Sequence, residues 1–192
     1  INAVSALCEK AGADVTEVSR AVGMDSRIGG RFLNASVGFG GSCFKKDILN
    51  LVYIAESYGL HEVAQYWESV LAMNEFQEAR FVRTMIREMF NTIVGKRIAL
   101  FGFAFKADTS DTRESPAIYV TRKLLEERAQ VAVTDPKALD NARIDLHDCV
   151  DHIEFCEDPY AASHKAHAIA IMTEWDIYKD LDYERIFNTM EK

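Results

Sequence analysis

The sequence lacks any excess of positive charge, because its 22 Lys and Arg residues are outnumbered by 30 Asp and Glu residues and the formal net charge is −8. Non-specific nucleic-acid binding needs a basic surface, so this composition argues against it. No apolar run approaches the ~20 residues of a membrane span, and no signal peptide is recognisable. We therefore expect a soluble cytoplasmic protein that holds any anionic ligand through local basic side chains.

Metal and disulfide patterns are also missing. The five histidines show no HxH or HExxH spacing, and the four cysteines form no CxxC pair and are too few for a disulfide scaffold. We expect reduced thiols and no bound metal. The sequence also lacks a G-x-G-x-x-G motif after a strand, which is the fingerprint of a dinucleotide-binding domain.

What is present suits one large or two small domains. Of the 192 residues, 48% are apolar, which is enough to build real cores. The chain begins at Ile1 inside a helical pattern and stops at Lys192 just after another one. We therefore expect it to be a piece of a longer polypeptide.

The first half of the chain has the apolar spacing of helices. Asp14 and Glu17 form a capping-box pattern at the start of the second helix. The longest helical stretch carries an apolar stripe too wide for a helix with one buried face, so we expect a central helix that bridges domains or subunits. The predicted helices cover residues 1–11, 14–23, 44–55 and 61–92.

The pattern changes near Gly95, where short apolar strands begin to alternate with helices. Ser115 and Pro116 are the preferred cap residue and first residue of a helix. The predicted strands cover residues 97–101, 131–134, 153–155 and 168–172, and the predicted helices cover 115–128, 158–165 and 183–190. This alternation predicts a Rossmann-like, doubly wound parallel sheet. The expected fold is an all-helical domain over residues 1–93 followed by an α/β domain over residues 94–192.

One glycine-rich stretch concentrates reactive side chains. The glycines between Gly38 and Gly41 allow close approach to a ligand, and Cys43 follows at or just before the first turn of a helix. The exposed N–H groups there favour a thiolate, and Asp47 lies one turn further along the same face. A lone cysteine is more often a buried structural residue. The loop, the adjacent lysines and the aspartate together favour a nucleophile beside a carboxylate.

The first predicted strand leads into a long charged loop from Gly102 to Ser115. Open α/β sheets bind ligands outside the carboxyl ends of their strands, so this loop is either a binding element or a solvated crossover. Phe103 and Phe105 flank Lys106, and we expect rings beside a cation to suit a base or sugar next to a phosphate.

Three motifs together resemble one enzyme family. They are Gly38-Phe39-Gly40-Gly41-Ser42-Cys43-Phe44 with Lys46-Asp47, then Gly102-Phe103-Ala104-Phe105-Lys106, and then Asp111-Thr112-Arg113-Glu114-Ser115. At these separations they resemble the UDP-glucose 6-dehydrogenases of the UDP-glucose/GDP-mannose dehydrogenase family. The resemblance runs from Ile1 to Lys192 and is closest to the animal-type enzymes.

The resemblance implies an NAD-dependent oxidoreductase that converts UDP-glucose to UDP-glucuronate with two NAD+ and one water, through a cysteine thiohemiacetal and thioester. It implies a central helical domain that forms a homo-oligomer, and an incomplete C-terminal UDP-binding α/β domain. The N-terminal NAD-binding domain of the family would be absent, so we expect this chain alone to be inactive. The family's catalytic lysine and asparagine would precede Ile1, and a substrate-binding arginine would follow Lys192.

Individual roles follow from the same resemblance. Cys43 matches the nucleophile, and Asp47 matches the aspartate that positions or activates water. The implied substrate-binding residues are Arg27, Asn34, Phe39, Gly40, Phe105 and Lys106, of which Arg27 would reach into the neighbouring subunit's site. The implied cofactor contacts are Cys43, Lys46 and Arg113, and no metal is implied.

One departure and two alternatives accompany this interpretation. Asn34 stands where animal relatives often carry a lysine, so one phosphate or base contact would differ. A GDP-mannose 6-dehydrogenase shares the cysteine chemistry and is the nearest alternative enzyme. A non-catalytic module that dimerises or binds nucleotide sugars is the alternative from another functional class.

Overall fold

The computed structural model describes residues 1–191, and Lys192 lies outside the described residues. A helical part comes first and an α/β part follows it. The helical part contains α1 (Asn2–Ala11), α2 (Val15–Gly23), α3 (Phe44–Ser57) and α4 (His61–Glu88). The α/β part contains β1 (Arg97–Phe101), α5 (Pro116–Glu126), β2 (Gln130–Thr134), α6 (Leu139–Asp145), β3 (Ile153–Phe155), α7 (Pro159–Ser163), β4 (Ala168–Ile171) and α8 (Tyr183–Thr189). The predicted order of elements is confirmed except for α6, which the sequence pattern did not predict.

The long helix α4 connects the two parts, as its wide apolar stripe predicts. It packs against α1 and α3 on the helical side and against α5 on the α/β side. Its predicted end at residue 92 is wrong, because Phe90 and Asn91 adopt positive φ angles of 63° and 59°. Residues in this left-handed region cannot continue a right-handed helix.

The four strands form one parallel sheet in the order β3-β2-β1-β4. Successive side chains of a strand point to opposite faces, so the sheet has two buried faces. On one face, Ile98 and Leu100 pack with residues of α4, α5 and α6. On the other face, Ala99 and Phe101 pack with residues of α7 and α8. The predicted doubly wound parallel sheet is therefore confirmed.

The start of α5 matches its sequence signal. Ser115 is the cap residue, its Oγ accepts a hydrogen bond from Ala117 N, and Pro116 occupies the first helical position. The helix α6 is absent from the predicted elements, since Leu139–Asp145 is short and four of its seven residues are polar. No helix among residues 1–191 is both long enough and apolar enough to cross a membrane.

Candidate active site

Cys43 is the residue that immediately precedes α3. It is exposed and carries a free thiol, with Ser42 Oγ at 3.5 Å from its Sγ. Asp47 lies one turn along the helix, where its N–H donates to the Cys43 carbonyl oxygen at 2.8 Å. The Asp47 side chain is exposed as well. The thiol therefore stands at the open start of a helix with a carboxylate-bearing residue on the next turn.

The glycine loop before Cys43 lies directly against the third motif. Gly41 N–H donates to the Arg113 carbonyl oxygen at 2.8 Å. A Cβ at Gly40 would lie 2.5 Å from the Glu114 carbonyl oxygen and 2.9 Å from Phe105 Cβ. Gly41 has a φ of 92°, and a Cβ there would lie 2.9 Å from Cε2 of the Phe105 ring. Glycine is needed at these positions because any side chain would push the loop away from its neighbours.

An ion pair joins the same two segments on the surface. Lys45 Nζ lies 2.8 Å from Glu114 Oε2, and both side chains are about half exposed. The hydrogen bond to Glu114 raises the pKa of Lys45 above its ordinary value. An exposed pair of this kind contributes little to stability, so its main effect is to orient two side chains near the loop.

The predicted substrate residues share one cavity, except Arg27. The cavity has a volume of about 390 Å³ and lies beside the carboxyl ends of β1 and β4. Its lining includes five of the predicted residues: Asn34, Phe39, Gly40, Phe105 and Lys106. Lys106 is exposed, and its Nζ lies 5.4 Å from the centroid of the Phe105 ring. A ring and a cation therefore stand side by side at the mouth of this cavity.

Phe103 cannot act as a ligand-binding ring. It is fully buried in the core between the sheet and α5. The expectation that two phenylalanines flank Lys106 at a binding surface is therefore wrong, and only Phe105 is available. Alternation along a strand would place residues 103 and 105 on the same side, but both lie in the irregular loop after β1, where that alternation does not hold.

Arg27 lies apart from this cavity. Its side chain is 87% exposed, and it forms a bidentate pair with Asp25 in the loop after α2, with the shortest distance 2.6 Å. Hydrogen bonds from Arg27 lower the pKa of Asp25. An outward-directed guanidinium does not contribute to the cavity of its own chain.

Two exposed cationic side chains lie close to the thiol in sequence or in space. Lys46 is exposed on the first turn of α3. Arg113 is exposed and pairs with Asp111 at 2.7 Å, and this hydrogen bond lowers the pKa of Asp111. The pKa of Arg113 is raised by Asp111 first and, to a lesser degree, by the nearby Cys43. Arg113 is therefore close to Cys43 in space, and Lys46 is close to it in sequence.

The loop that carries Phe105 and Lys106 is held by a buried aspartate that no sequence motif identifies. Asp135 is buried at the end of β2. Its Oδ2 accepts from Phe103 N, Ala104 N and Trp175 Nε1 at 2.6, 3.0 and 3.1 Å, and its Oδ1 accepts from Lys137 N and Ala138 N. Five N–H donors compensate for the burial of this side chain, and their bonds fix the path of the chain after β1.

Sequence reasoning also missed three polar residues of α4. Asn74 and Gln77 donate hydrogen bonds to backbone carbonyl groups of the glycine loop region. Glu78 accepts a hydrogen bond from Asn74 at 2.9 Å. The available signal is that Asn74 and Gln77 interrupt the apolar stripe of the long helix one turn apart.

Within residues 1–191, no group of three or more His, Cys, Asp or Glu side chains could hold a metal ion.

Comparisons with known proteins cover nearly the whole chain. A family model described as the UDP-glucose/GDP-mannose dehydrogenase family, central domain, matches residues 1–76. A model of the same family, described as the UDP binding domain, matches residues 99–192. "UDP-glucose 6-dehydrogenase 4" from Arabidopsis thaliana is 51% identical over 100% of this chain and 44% of its own length. The mouse "UDP-glucose 6-dehydrogenase" is 51% identical over 100% of this chain and 41% of its own length.

Solved structures share the fold. A UDP-glucose dehydrogenase from the archaeon Pyrobaculum islandicum superposes with a TM-score of 0.86 at 38% identity, covering 95% of this chain and 41% of that one. A GDP-mannose dehydrogenase from Pseudomonas aeruginosa superposes with a TM-score of 0.65 at 20% identity, covering 92% of this chain and 41% of that one. The second likeness concerns the fold alone. The chain spans less than half the length of each of these relatives.

Proposed function

The chain belongs to the UDP-glucose/GDP-mannose dehydrogenase family, and from this membership we propose that the protein oxidises UDP-glucose to UDP-glucuronate with NAD+ as the oxidant. The observation that carries the proposal is 51% identity, over the whole chain, with plant and animal UDP-glucose 6-dehydrogenases. The division into a central domain over residues 1–93 and a UDP-binding domain over residues 94–192 is part of the proposal, as is a cytoplasmic location.

Cys43 is proposed as the covalent nucleophile. Its thiolate adds to the C6 aldehyde, forming a C–S bond and a thiohemiacetal, so the aldehyde stays on the protein. Once that carbon has been oxidised to the thioester level, water attacks it, the C–S bond breaks and the carboxylate leaves. Overall, one alcohol, two NAD+ and one water give one carboxylate, two NADH and three protons. The exposed thiol at the start of α3 suits this role because a substrate can approach it.

Asp47 is proposed to orient the attacking water or to accept its proton. It lies one turn from Cys43 and is exposed, so it can reach a water beside the thioester. A positioned general base of this kind contributes roughly 10²–10⁴-fold to a rate.

The substrate is proposed to occupy the cavity of about 390 Å³. There Phe105 offers an apolar face, Lys106 offers a cation for a phosphate, and Asn34 offers an amide where relatives often carry a lysine. Gly40 allows the sugar to approach the backbone. Arg27, which points outward at 87% exposure, is proposed to complete the site of a neighbouring subunit in a homo-oligomer.

NAD+ would supply the hydride acceptor when bound. The residues of this chain that fit it are Lys46 and Arg113, because two exposed cations near the thiol suit a ligand with phosphate groups. Cys43 would lie on the nicotinamide side. We propose no contact of this chain with the rest of the cofactor.

The test uses the full-length protein, assayed for NADH and for released UDP-glucuronate. We expect Cys43→Ser to lower kcat by ~10³-fold or more, as removal of a covalent nucleophile does. Cys149→Ser, at a half-buried position far from the loop in sequence, is the matched control and should turn over normally. Undiminished turnover by Cys43→Ser would contradict the nucleophile assignment. A higher kcat/KM with GDP-mannose than with UDP-glucose would select the alternative enzyme.

A further inference from the structure

The segment from Ser36 to Phe39 belongs to no helix or strand, so its backbone hydrogen bonds must be made elsewhere. Asn74 on α4 contacts both polar groups of one residue in this segment. Its Oδ1 accepts from Phe39 N at 2.8 Å, and its Nδ2 donates to the Phe39 carbonyl oxygen at 3.2 Å. One side-chain amide thus pairs with both the N–H and the C=O group of one residue, as a residue on a neighbouring antiparallel strand would.

Two further amides hold Ser36. Gln77 Nε2 donates to the Ser36 carbonyl oxygen at 2.7 Å, and Ser36 N donates to Asn2 Oδ1 at 2.9 Å. Gln77 is only 5% exposed, and Arg80 Nε donates to its Oε1 at 3.1 Å, which fixes the orientation of the amide. The segment is therefore attached at both ends to side chains of helices, chiefly α4.

Phe39 connects this attachment to the cysteine. Its ring meets the ring of Phe44 edge-on, with centroids 4.7 Å apart, and Phe44 is the first residue of α3, next to Cys43. Ser36 and Phe39 line the cavity proposed for the substrate and also a second cavity of about 740 Å³. A shift of Phe39 would therefore change both the cavity wall and the surroundings of the thiol.

We propose that Asn74, assisted by Gln77, is a positioning residue of the active site, which holds the Ser36–Phe39 segment so that substrate and Cys43 meet in the reactive geometry. This inference rests on the proposed function. Asn74 acts through Phe39 and contacts no reacting atom in the proposal.

The side chain at position 74 must accept a hydrogen bond from Phe39 N and donate one to the Phe39 carbonyl oxygen. It must also be short enough to reach both groups at once. Aspartate would keep the bond from Phe39 N but would place an oxygen against the Phe39 carbonyl group. Leucine has a similar size and can make neither bond. Glutamine is one methylene longer, and Gly38 leaves little room, since a Cβ there would lie 3.1 Å from Asn74 Oδ1. Asparagine alone among these fits the observed pair of bonds.

The test compares Asn74→Leu and Asn74→Asp with the wild type in the full-length protein. Asn50→Asp, at an exposed position of α3, is the matched control for the chemical change. We expect both Asn74 variants to lower kcat/KM for UDP-glucose by about 10- to 100-fold, the penalty for a misplacement of roughly 1 Å. The rate of Cys43 alkylation by iodoacetamide, followed by peptide mapping, should change in both variants and remain unchanged in Asn50→Asp.

A pH profile separates positioning from general loss of stability. In Asn74→Asp, protonation of a carboxyl group restores a donor towards the Phe39 carbonyl group, so kcat/KM relative to wild type should rise as pH falls. Asn74 Nδ2 also donates to Glu78 Oε1 at 2.9 Å, and the charged groups that act on Glu78 are Glu75 on α4, Lys45 on α3 and Glu114 before α5. Arg122 of α5 lines a cavity together with Asn74 and Glu78. Asn74→Leu should show no such recovery.

The outcomes distinguish the two proposals. If Cys43→Ser abolishes turnover and both Asn74 variants keep wild-type kcat/KM and alkylation rates, the positioning role is wrong and the proposed function stands. If Cys43→Ser turns over normally, the proposed function itself fails. Asn74→Asp replaces one amide by a carboxylate at a half-buried position, so it provides a folded variant even where Asn74→Leu does not.

Discussion

The α/β part and the helical part of this chain are ordered by different forces. In the α/β part, the residues of β1 from Ile98 to Phe101 are completely buried. In the helical part, α2 has no buried residue at all, and large apolar side chains such as Met24 and Phe32 are 80% and 97% exposed. The cysteine loop, defined as residues 38–42 before Cys43, lies between the two parts. It is held by hydrogen bonds and by close backbone approach rather than by a core of its own.

This difference predicts that stability and activity depend on different parts of the chain. Burial of apolar area stabilises the sheet, at about 25 cal/mol per Å². The loop gains little in this way, and its position depends on individual contacts such as Gly41 N–H to Arg113 and the amide of Asn74. Substitutions in the sheet should therefore change the free energy of unfolding, and substitutions in the loop should mainly change activity.

The largest expected effect is on the sheet. Phe101→Ala removes a fully buried ring that packs with Trp175 and Tyr178 and should lower the free energy of unfolding by about 3–5 kcal/mol. Phe32→Ala is the matched substitution in the helical part and should cost less than about 0.5 kcal/mol, because that ring is exposed. Urea unfolding followed by tryptophan fluorescence measures both.

If Phe32→Ala were as destabilising as Phe101→Ala, the claim that apolar burial stabilises mainly the α/β part would be wrong. Such a result would mean that the exposed apolar side chains of the helical part are covered in solution. A dependence of the Phe32→Ala effect on protein concentration would identify association of chains as the cause.

A smaller effect is expected in the loop. Gly40→Ala places a Cβ 2.5 Å from the Glu114 carbonyl oxygen, so the loop must shift at a cost of about 1–3 kcal/mol. Gly30→Ala is the matched control, since a Cβ there meets nothing within 4 Å and its φ is not positive. Differential scanning calorimetry should show a modest loss for Gly40→Ala only, while the alkylation rate of Cys43 should change clearly. An unchanged alkylation rate would indicate that the contact with Glu114 does not position the thiol.

Sequence reasoning performs well where structure is local. The strand pattern of residues 97–101 and the Ser115-Pro116 cap reflect alternation and capping, which act over a few residues, and both are confirmed. The end of α4 is different. Its apolar stripe continues to Phe90, so spacing alone extends the helix, whereas the backbone turns with a positive φ at that residue.

The candidate site shows the same limit. The motifs and the family resemblance supply Asn34, Phe39, Phe105 and Lys106, and the structure brings these into one cavity. The polar interruption of the α4 stripe at Asn74 indicates a polar contact there, but spacing cannot identify the partner, because Phe39 is 35 residues away. The five hydrogen bonds of Asp135 could not be predicted from its position after β2 either, because three of the donors lie more than 30 residues away.

The smallest expected effect concerns Glu78, beside the Asn74 amide. The pKa of Glu78 is raised from 4.5 to about 7, chiefly by burial and to a lesser degree by Glu75 and Glu114, while Lys45 opposes the shift. Between these two pH values the folded state binds more protons at this group than the unfolded state does. Its contribution to stability is therefore fully present below pH 4.5 and is lost as pH rises through 7.

Glu78→Gln removes this titration and keeps an Oε1 atom that can accept the hydrogen bond from Asn74. The variant should match the wild type near pH 4.5 and become more stable by about 1 kcal/mol above pH 7, after allowance for partial exposure of the group. Thermal unfolding between pH 4.5 and 8 checks this, and Glu68→Gln, at an exposed position of the same helix, controls for the loss of one negative charge. A gain that is equal at every pH would attribute the effect to net charge. A stability gain of Glu78→Gln that grows only between pH 4.5 and 7 would show that ionisation of Glu78 destabilises the folded protein. The carboxylate that accepts the hydrogen bond from Asn74 would then lower the stability of the wild type at neutral pH.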